Sequence, residues 1–150
     1  MHLSIKEAFK GMRKGEGGPF GAVIVRKGKI ISISHNKVLK SKDPTAHAEI
    51  NAIRMASKKL KKFDLSDCEI YSSCEPCPMC LAAIEWARIK YLYYGCTRRD
   101  ADKLGFGDKE IYDDLKLAPN TKRINSILIC DEEMHAPFKE WMKKKNKKMY

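Results

Sequence analysis

The chain has 150 residues, of which 43% are hydrophobic and 33% charged, and it carries a formal net charge of +11. Its length and composition predict a single globular domain over residues 1–150 with a buried core, and they exclude a disordered or fibrous protein. No apolar run approaches the ~20 residues that cross a bilayer, and the N-terminus lacks a signal-peptide pattern, so we expect no membrane partner.

The positive charge is concentrated in two lysine-rich runs, Lys58–Lys62 and Lys143–Lys148. Both lie at the ends of predicted helices, and the helix dipole favours cations at a helix C-terminus. Such runs are typical of a solvated surface, but a basic protein is also a candidate for binding nucleic acid. Charge alone therefore leaves both interpretations open.

The chain begins with a predicted helix that is followed by a β-hairpin. Apolar side chains in residues 4–13 recur at helical spacing. The glycine-rich residues 15–19 end this helix and form a corner. Residues 20–25 and 29–34 are predicted strands, joined by a short turn at Lys27–Gly28.

A second helix is predicted from about Ala46 to Leu60, with Thr45 as its N-cap. This places His47 and Glu49 in the first turn of the helix. Residues two positions apart do not share a helix face. If one of these side chains binds a metal ion, the other can reach past it to a water molecule bound to that metal.

The second half of the chain predicts a strand at 68–73, a helix at 79–88 that Pro78 begins, strands at 90–95 and 123–130, and a helix within 137–150. A helix links the strands at 68–73 and 90–95, so these two strands should be parallel. The polar stretch 97–121 is too long for a plain connection and is predicted to hold short helical turns.

A cluster of metal-ligand residues dominates the middle of the chain. Cys74, Cys77 and Cys80 stand at three-residue spacing, about thirty residues after His47. Zinc takes thiolate and imidazole ligands in tetrahedral geometry. The pattern H-x-E followed by P-C-x-x-C is that of zinc deaminases, and it reads here as residues 47–49 and 76–80.

Two zinc sites are compatible with this spacing. In a structural site, Cys74 would be the fourth ligand and the protein would be a zinc module without catalysis. In a catalytic site, the fourth position stays open for water. Glu49 favours the catalytic site, because hydrolysis needs a general acid or base beside the metal and a structural site does not.

The remaining cysteines, Cys68, Cys96 and Cys130, lie in apolar surroundings and are predicted to be buried free thiols. Free thiols and a thiolate metal site are typical of a reducing compartment. We therefore expect a cytoplasmic protein.

With these residues identified, the chain resembles the cytidine-deaminase superfamily, and within it the small bacterial guanine deaminases. The resemblance covers nearly the whole chain. It is carried by residues 17–23, 35–36, 43–49, 73–80, 86–88, 105–108, 111–112, 137–141 and 150. It implies a three-layer α/β/α fold with a mixed five-stranded sheet between helices.

The resemblance also implies a reaction and a metal. It places one Zn²⁺ per subunit on His47, Cys77 and Cys80, with Cys74 as a neighbour rather than a ligand. Glu49 would move protons between the attacking water, the ring nitrogen and the leaving amine. Guanine would be hydrolysed to xanthine and ammonia.

A substrate pocket is implied by the same resemblance. Asp108 would be a second catalytic carboxylate that contacts the exocyclic amine. Gly107, just before it, departs from the family pattern, in which another acid is expected. The residues implied to bind the purine base are Asn36, Phe20, Ala48, Trp86 and Tyr150. By its position alone, Asn36 would be interpreted as a turn residue.

Relatives of this kind form homodimers that exchange C-terminal segments, which here means residues from about 131 to 150. The main alternative function is that of a tRNA-specific adenosine deaminase, which shares the zinc pattern. Under that alternative the basic charge would contact phosphates of a nucleic-acid partner.

Overall fold

A computed structural model describes residues 1–117, 123–129 and 133–149. The chain divides into two compact units, Met1–Lys109 and Glu110–Tyr150. Within the described ranges, no helix combines the length and the apolar character needed to cross a membrane. That the whole chain acts as one deaminase domain stays a prediction.

The first unit contains the sheet and the helices that pack on it. Most of the predicted elements are present, with ends that differ by one or two residues. In chain order the elements are α1 (His2–Arg13), β1 (Gly21–Arg26), β2 (Lys29–His35), α2 (Val38–Ser41), α3 (Ala48–Leu60), β3 (Glu69–Cys74), α4 (Pro78–Trp86), β4 (Tyr91–Cys96) and α5 (Arg98–Asp102).

The sheet has the strand order β2-β1-β3-β4. Strand β1 is antiparallel to both of its neighbours, whereas β3 and β4 are parallel, as predicted from the helix that connects them. The sheet is therefore mixed. Strands β1 and β3 lie at the centre of the sheet. The carboxyl end of β3 leads directly into the cysteine-rich loop.

Helices cover both faces of this sheet. A Cβ atom on Gly21 would overlap the Ser4 backbone, so this position of β1 faces α1. The next residue, Ala22, points to the opposite face, because side chains alternate along a strand. There it joins a buried cluster with Ala52 of α3 and Ile84 of α4. This arrangement confirms the predicted three-layer α/β/α fold.

The prediction of a fifth strand is wrong for the residues that can be compared. Residues 123–129 form no strand, and the sheet has four strands. A strand needs a neighbour whose backbone groups pair with its own. The described residues of the second unit form helices and a 3-10 turn and no strand.

Two predicted helix ends also differ from the structure. Helix α3 begins at Ala48, and its N-cap is His47 rather than Thr45. Thr45 instead donates hydrogen bonds to the Asp43 carboxylate from its backbone and hydroxyl groups, at 2.8 and 2.7 Å. Helix α4 ends at Trp86, because Arg88 adopts a φ of 61° that an α-helix cannot continue through.

The outcome for the three other cysteines is mixed. Cys68 is buried, as predicted. Cys96 is exposed, because it ends the edge strand β4. Cys130 lies outside the described residues.

The second unit contains α6 (Lys109–Leu115), a short 3-10 turn at Glu133–His135 and α7 (Ala136–Lys143). Helices α5 and α6 follow β4 in the chain. They confirm the short helices predicted within residues 97–121. Arg123 binds the carboxylates of Glu110 and Asp114. None of the described residues of α6 and α7 is buried.

Candidate active site

Two helices begin at the same point, and each places a metal-ligand residue at its start. His47 is the N-cap of α3 and Cys77 is the N-cap of α4, and both have extended backbones, with ψ angles of 160° and 167°. Neither side chain caps its own helix. Both side chains can therefore bind the same metal ion, together with Cys80 in the first turn of α4.

The donor atoms of these residues have the spacing of a zinc site. His47 Nδ1 lies 3.5 Å from the sulfur of Cys77 and 3.5 Å from that of Cys80. Tetrahedral zinc, with bonds of about 2.3 Å to sulfur and about 2.0 Å to nitrogen, holds these atoms about 3.5 Å apart. All three donor atoms lie within 4.8 Å of one another, so the residues fit the ion.

The electrostatics of the group favour a thiolate at Cys77. A hydrogen bond from Cys80 and another from His47 lower the pKa of the Cys77 thiol. The hydrogen bond with Cys77, together with burial, raises the pKa of the Cys80 thiol. A hydrogen bond to Cys77 also raises the pKa of His47. A divalent cation replaces these protons and stabilises both thiolates.

Cys74 does not belong to this group. Its sulfur lies 3.5 Å from the carbonyl oxygen of Thr97, and burial raises the pKa of its thiol to about 11. Within the described parts of the chain, the metal-ligand group contains His47, Cys77 and Cys80. Three protein donors leave the fourth tetrahedral position open, as in catalytic zinc sites.

Glu49 lies beside the donor group. Its side chain is nearly buried, with 5% of the residue exposed. One carboxylate oxygen, Oε1, accepts a hydrogen bond from the Ser72 hydroxyl at 2.6 Å. The other, Oε2, is 3.4 Å from the sulfur of Cys80. One oxygen of the carboxylate therefore lies beside a donor atom of the metal-ligand group, and the role of Glu49 as acid or base stays a prediction.

Asn36 is buried and makes the side-chain contact of a turn residue, and its contact with a substrate stays a prediction. Its Oδ1 accepts a hydrogen bond from the Val38 N–H at 3.1 Å, and its own N–H donates to the Phe20 carbonyl at 3.0 Å. Gly17 packs against it so closely that a Cβ there would overlap the Asn36 amide. The glycine-rich corner thus serves as a wall for Asn36.

Asp108 and Phe106 lie on the segment that follows α5. The ring of Phe106 meets that of Phe20 edge to face, with centroids 5.1 Å apart. Burial, and then the negative charge of Cys77, raise the pKa of the Asp108 carboxyl. A catalytic role for Asp108 stays a prediction. A Cβ atom at position 107 would overlap the Asp102 carboxylate. Glycine, which has no Cβ atom, therefore fits this position, where the family pattern has an acid.

The other predicted substrate residues lie at different depths. Ala48 is completely buried at the start of α3. Trp86 is 67% exposed at the far end of α4, ~9 Å along the helix axis from Cys80. Tyr150 lies outside the described residues. Contact of Trp86 and Tyr150 with a substrate stays a prediction.

Sequence reasoning missed several residues that build this site. Asn51 donates from its amide to the carbonyls of Ala46 and His35, at 3.0 and 3.3 Å, and so ties the start of α3 to the end of β2. Ser72 was missed as a partner of Glu49. Its signal was present, because a polar residue at an inward position of a buried strand needs a buried partner.

Comparison with known proteins identifies the family. Residues 1–96 match the family described as the cytidine and deoxycytidylate deaminase zinc-binding region. The guanine deaminase of Bacillus subtilis (strain 168) is 47% identical over 143 residues, which cover 95% of this chain and 92% of that protein. The tRNA-specific adenosine deaminase of Buchnera aphidicola subsp. Schizaphis graminum is 39% identical over 132 residues, 88% of this chain and 85% of that protein.

A solved structure extends this likeness to three dimensions. The X-ray structure of guanine deaminase from Bacillus subtilis matches with a TM-score of 0.96 and 45% sequence identity, over 99% of this chain and 95% of that one. The family match includes the His47, Cys77 and Cys80 positions, whose donor atoms have zinc spacing here. The chain is therefore a member of the cytidine and deoxycytidylate deaminase family and carries its zinc-binding region.

Proposed function

We propose that this protein catalyses the zinc-dependent hydrolytic deamination of guanine to xanthine and ammonia. The observation that carries the proposal is the likeness to Bacillus subtilis guanine deaminase, which covers 95% of the chain and extends beyond residues 1–96 of the shared family region. The substrate class that follows is a free purine base.

His47, Cys77 and Cys80 would hold one zinc ion per subunit. When bound, zinc acts as a Lewis acid that lowers the pKa of a water toward neutrality. The two helix N-termini at this point add positive potential that favours the thiolate ligands. Because thiolate ligands and free cysteines persist under reducing conditions, we place the protein in the cytoplasm.

Glu49 would carry the protons of the reaction. Water adds at C2 of guanine, the bond from C2 to the exocyclic amine breaks, and ammonia leaves. Glu49 takes a proton from the attacking water, delivers it to the ring nitrogen and then supplies one to the leaving amine. Guanine and water are thereby converted to xanthine and ammonia. Asp108, whose pKa is raised by burial, would contact the amine as it departs.

The purine would be held by residues around this carboxylate. Asn36 uses its Oδ1 for the Val38 N–H, which leaves its NH₂ group for an acceptor on the base. Phe20, braced by Phe106, offers a flat apolar wall, and Ala48 limits the depth of the pocket. Trp86 and Tyr150 would complete the enclosure.

We further propose a homodimer in which C-terminal segments are exchanged between subunits. Large apolar side chains are exposed throughout the described part of the second unit: Ile124, Ile127, Leu128, Ile129, Phe138 and Met142. Strand β4, an edge strand, exposes Tyr91, Tyr93 and Tyr94. Exposed apolar surface and unpaired strand edges are normally covered by a partner, and a second copy carries both complementary surfaces.

A second candidate function is deamination of adenosine in tRNA. The match to the Buchnera aphidicola enzyme and the net charge of +11 favour it. A tRNA site must stay open to admit a flipped nucleotide and its backbone, whereas a free base fits an enclosed pocket. The two candidates therefore differ in substrate and in sensitivity to salt.

The test is ammonia release by the zinc-loaded protein from guanine, guanosine, adenine, cytosine and cytidine, and inosine formation in a tRNA anticodon stem-loop. We expect turnover of guanine, and Glu49→Gln should lower kcat by about 10²- to 10⁴-fold, the usual contribution of a general acid or base. The exposed Glu85→Gln on α4 is the control. Inosine formation that weakens with salt, without guanine turnover, would establish the second candidate instead.

A further inference from the structure

Ser72 is a polar residue at a core position of the central sheet. Strand β3 alternates between half-buried and buried residues, and Ser72 lies between the buried Ile70 and Cys74 on the inward face. Its exposure is 0%. A hydroxyl without a partner at such a position destabilises the fold, and the partner of Ser72 is the Glu49 carboxylate, at 2.6 Å.

This hydrogen bond makes the two oxygens of Glu49 unequal. Oε1 accepts from the hydroxyl of Ser72, while Oε2 lies on the side of the metal donors, 3.4 Å from Cys80 Sγ. Oε1 is therefore held by the sheet, whereas Oε2 lies beside the metal-ligand group.

We propose that Ser72 is a positioning residue that holds Oε1 of Glu49 and thereby aims Oε2 at the attacking water and the substrate. The proposal rests on the proposed function, in which Glu49 carries the protons. A glutamate carboxylate rotates broadly about its last side-chain torsion. A single strong hydrogen bond from the sheet removes this freedom before the substrate arrives.

The position of Ser72 suits this role, because β3 is a rigid reference for the whole site. Ser72 is aligned with Ala22 of β1 on one side and with Tyr94 of β4 on the other. The same strand leads into the loop that carries Cys77. Glu49 is thereby held against the element that also positions a metal ligand, although it comes from a different helix.

The test compares Ser72→Ala with two matched variants. Ser72→Thr keeps the hydroxyl. Ser32→Ala removes another buried hydroxyl of the same sheet, one that donates to the Ala52 carbonyl of α3 at 2.8 Å and does not touch Glu49. We expect Ser72→Ala to lower kcat by about 10- to 100-fold, as for other groups that orient catalytic residues. KM and zinc content should change by less than about twofold, because Ser72 contacts neither base nor metal.

A merely structural role predicts a different result. It predicts that Ser72→Ala and Ser32→Ala lower the melting temperature by similar amounts and lower kcat by similar factors. A kcat for Ser72→Ala equal to that of Ser32→Ala would overturn the proposal. A well-folded Ser72→Thr that is no faster than Ser72→Ala would overturn it as well.

Failure of the proposed function is recognised separately. If the wild type deaminates another substrate of the panel, the same ratios are measured with that substrate. If it deaminates none, the proposed function is wrong, and crystal structures of the zinc-loaded wild type and Ser72→Ala proteins decide the question for Ser72. The proposal then requires a Ser72–Glu49 hydrogen bond in the wild type and a rotated Glu49 carboxylate in the variant, and an unrotated carboxylate would overturn it.

Discussion

At the scale of single residues, two members of the metal-ligand group are N-cap residues whose side chains do not cap their helices. His47 and Cys77 occupy N-cap positions, where Ser, Thr, Asp or Asn would usually satisfy the first backbone N–H groups. Here the same positions turn a ring nitrogen and a sulfur toward each other at 3.5 Å. Neither side chain makes a capping hydrogen bond, and both belong to the metal-ligand group.

The cysteines make a prediction at this scale. Cys74→Ser should retain one zinc ion per subunit, because Cys74 faces the Thr97 carbonyl. Cys80→Ser should lose the zinc, because it removes one of three protein donors. Metal content by elemental analysis, with circular dichroism as the check of folding, makes the comparison. Loss of zinc from Cys74→Ser would instead indicate a four-ligand structural site.

At the scale of elements, a charged cluster joins α1, β2 and the glycine-rich corner. The buried ring of His35 contacts Glu7 through Nδ1 at 2.8 Å and Glu16 through Nε2 at 2.6 Å. Glu16 also accepts a hydrogen bond from Lys40 at 2.9 Å. The cluster anchors the corner immediately before Gly17, which packs on Asn36. A hydrogen-bond network on α1 and β2 therefore holds the segment that packs against Asn36.

This cluster predicts a pH dependence of stability. Hydrogen bonds from Lys40 and His35 lower the pKa of Glu16 from 4.5 to about 2. A carboxyl whose pKa is lowered by folding stabilises the folded state fully above its unfolded pKa. That contribution is lost as the pH falls from 4.5 to about 2.

Glu16→Gln should therefore melt at a lower temperature than the wild type at pH 7, and the difference should shrink as the pH falls through this window. The exposed Glu85→Gln is the control and should follow the wild type throughout. Thermal unfolding by circular dichroism at a series of pH values makes the measurement. A difference between Glu16→Gln and wild type that stays constant down to the lowest pH would contradict the assignment.

At the scale of the whole molecule, the described part of the second unit leaves many of its large apolar side chains exposed. Leu128 is 89% exposed and Ile127 is 83% exposed. A proposed exchange of C-terminal segments covers such surface with a second copy, and domain exchange is a common route to homodimers. The active site would then contain residues from both subunits.

A mixing experiment tests this exchange. Glu49→Gln and a variant lacking residues 136–150 should each be inactive. After unfolding and refolding together, a heterodimer should have about half of the wild-type activity per subunit, because one of its two sites combines an intact Glu49 with an intact C-terminal segment. Since random pairing makes about half of the dimers heterodimers, the refolded equimolar mixture should recover roughly a quarter of the wild-type activity. The two variants mixed without refolding serve as the control. Refolded heterodimers that remain inactive, or a truncated variant that is active alone, would contradict exchange.

Much of the fold and of the metal site was predictable from local patterns. Helical periodicity and turn residues identified α1, β1, β2 and α3, because these signals act over a few residues. The parallel pairing of β3 and β4 followed from the helix between them. The metal residues were predictable because zinc restricts both ligand type and spacing.

The errors arose where distant parts of the chain decide the outcome. A fifth strand over 123–130 was predicted from the sequence and from the family resemblance, whereas a strand forms only where its backbone groups pair with a neighbouring strand. The N-cap of α3 moved from Thr45 to His47 because Asp43 takes the hydroxyl of Thr45 into a local turn. Cys96 is exposed because its strand lies at the edge of the sheet.

By itself, the sequence determined the chemistry of this protein: an imidazole and two thiolates for zinc, and a carboxylate beside them. Only the tertiary structure decided how these groups are aimed. It turned Cys74 away toward Thr97, brought Gly17 against Asn36 and placed the Ser72 hydroxyl 2.6 Å from Glu49. The physical reason is that ligand identity depends on residue type and short spacing, whereas orientation depends on packing between strands and helices far apart in the chain.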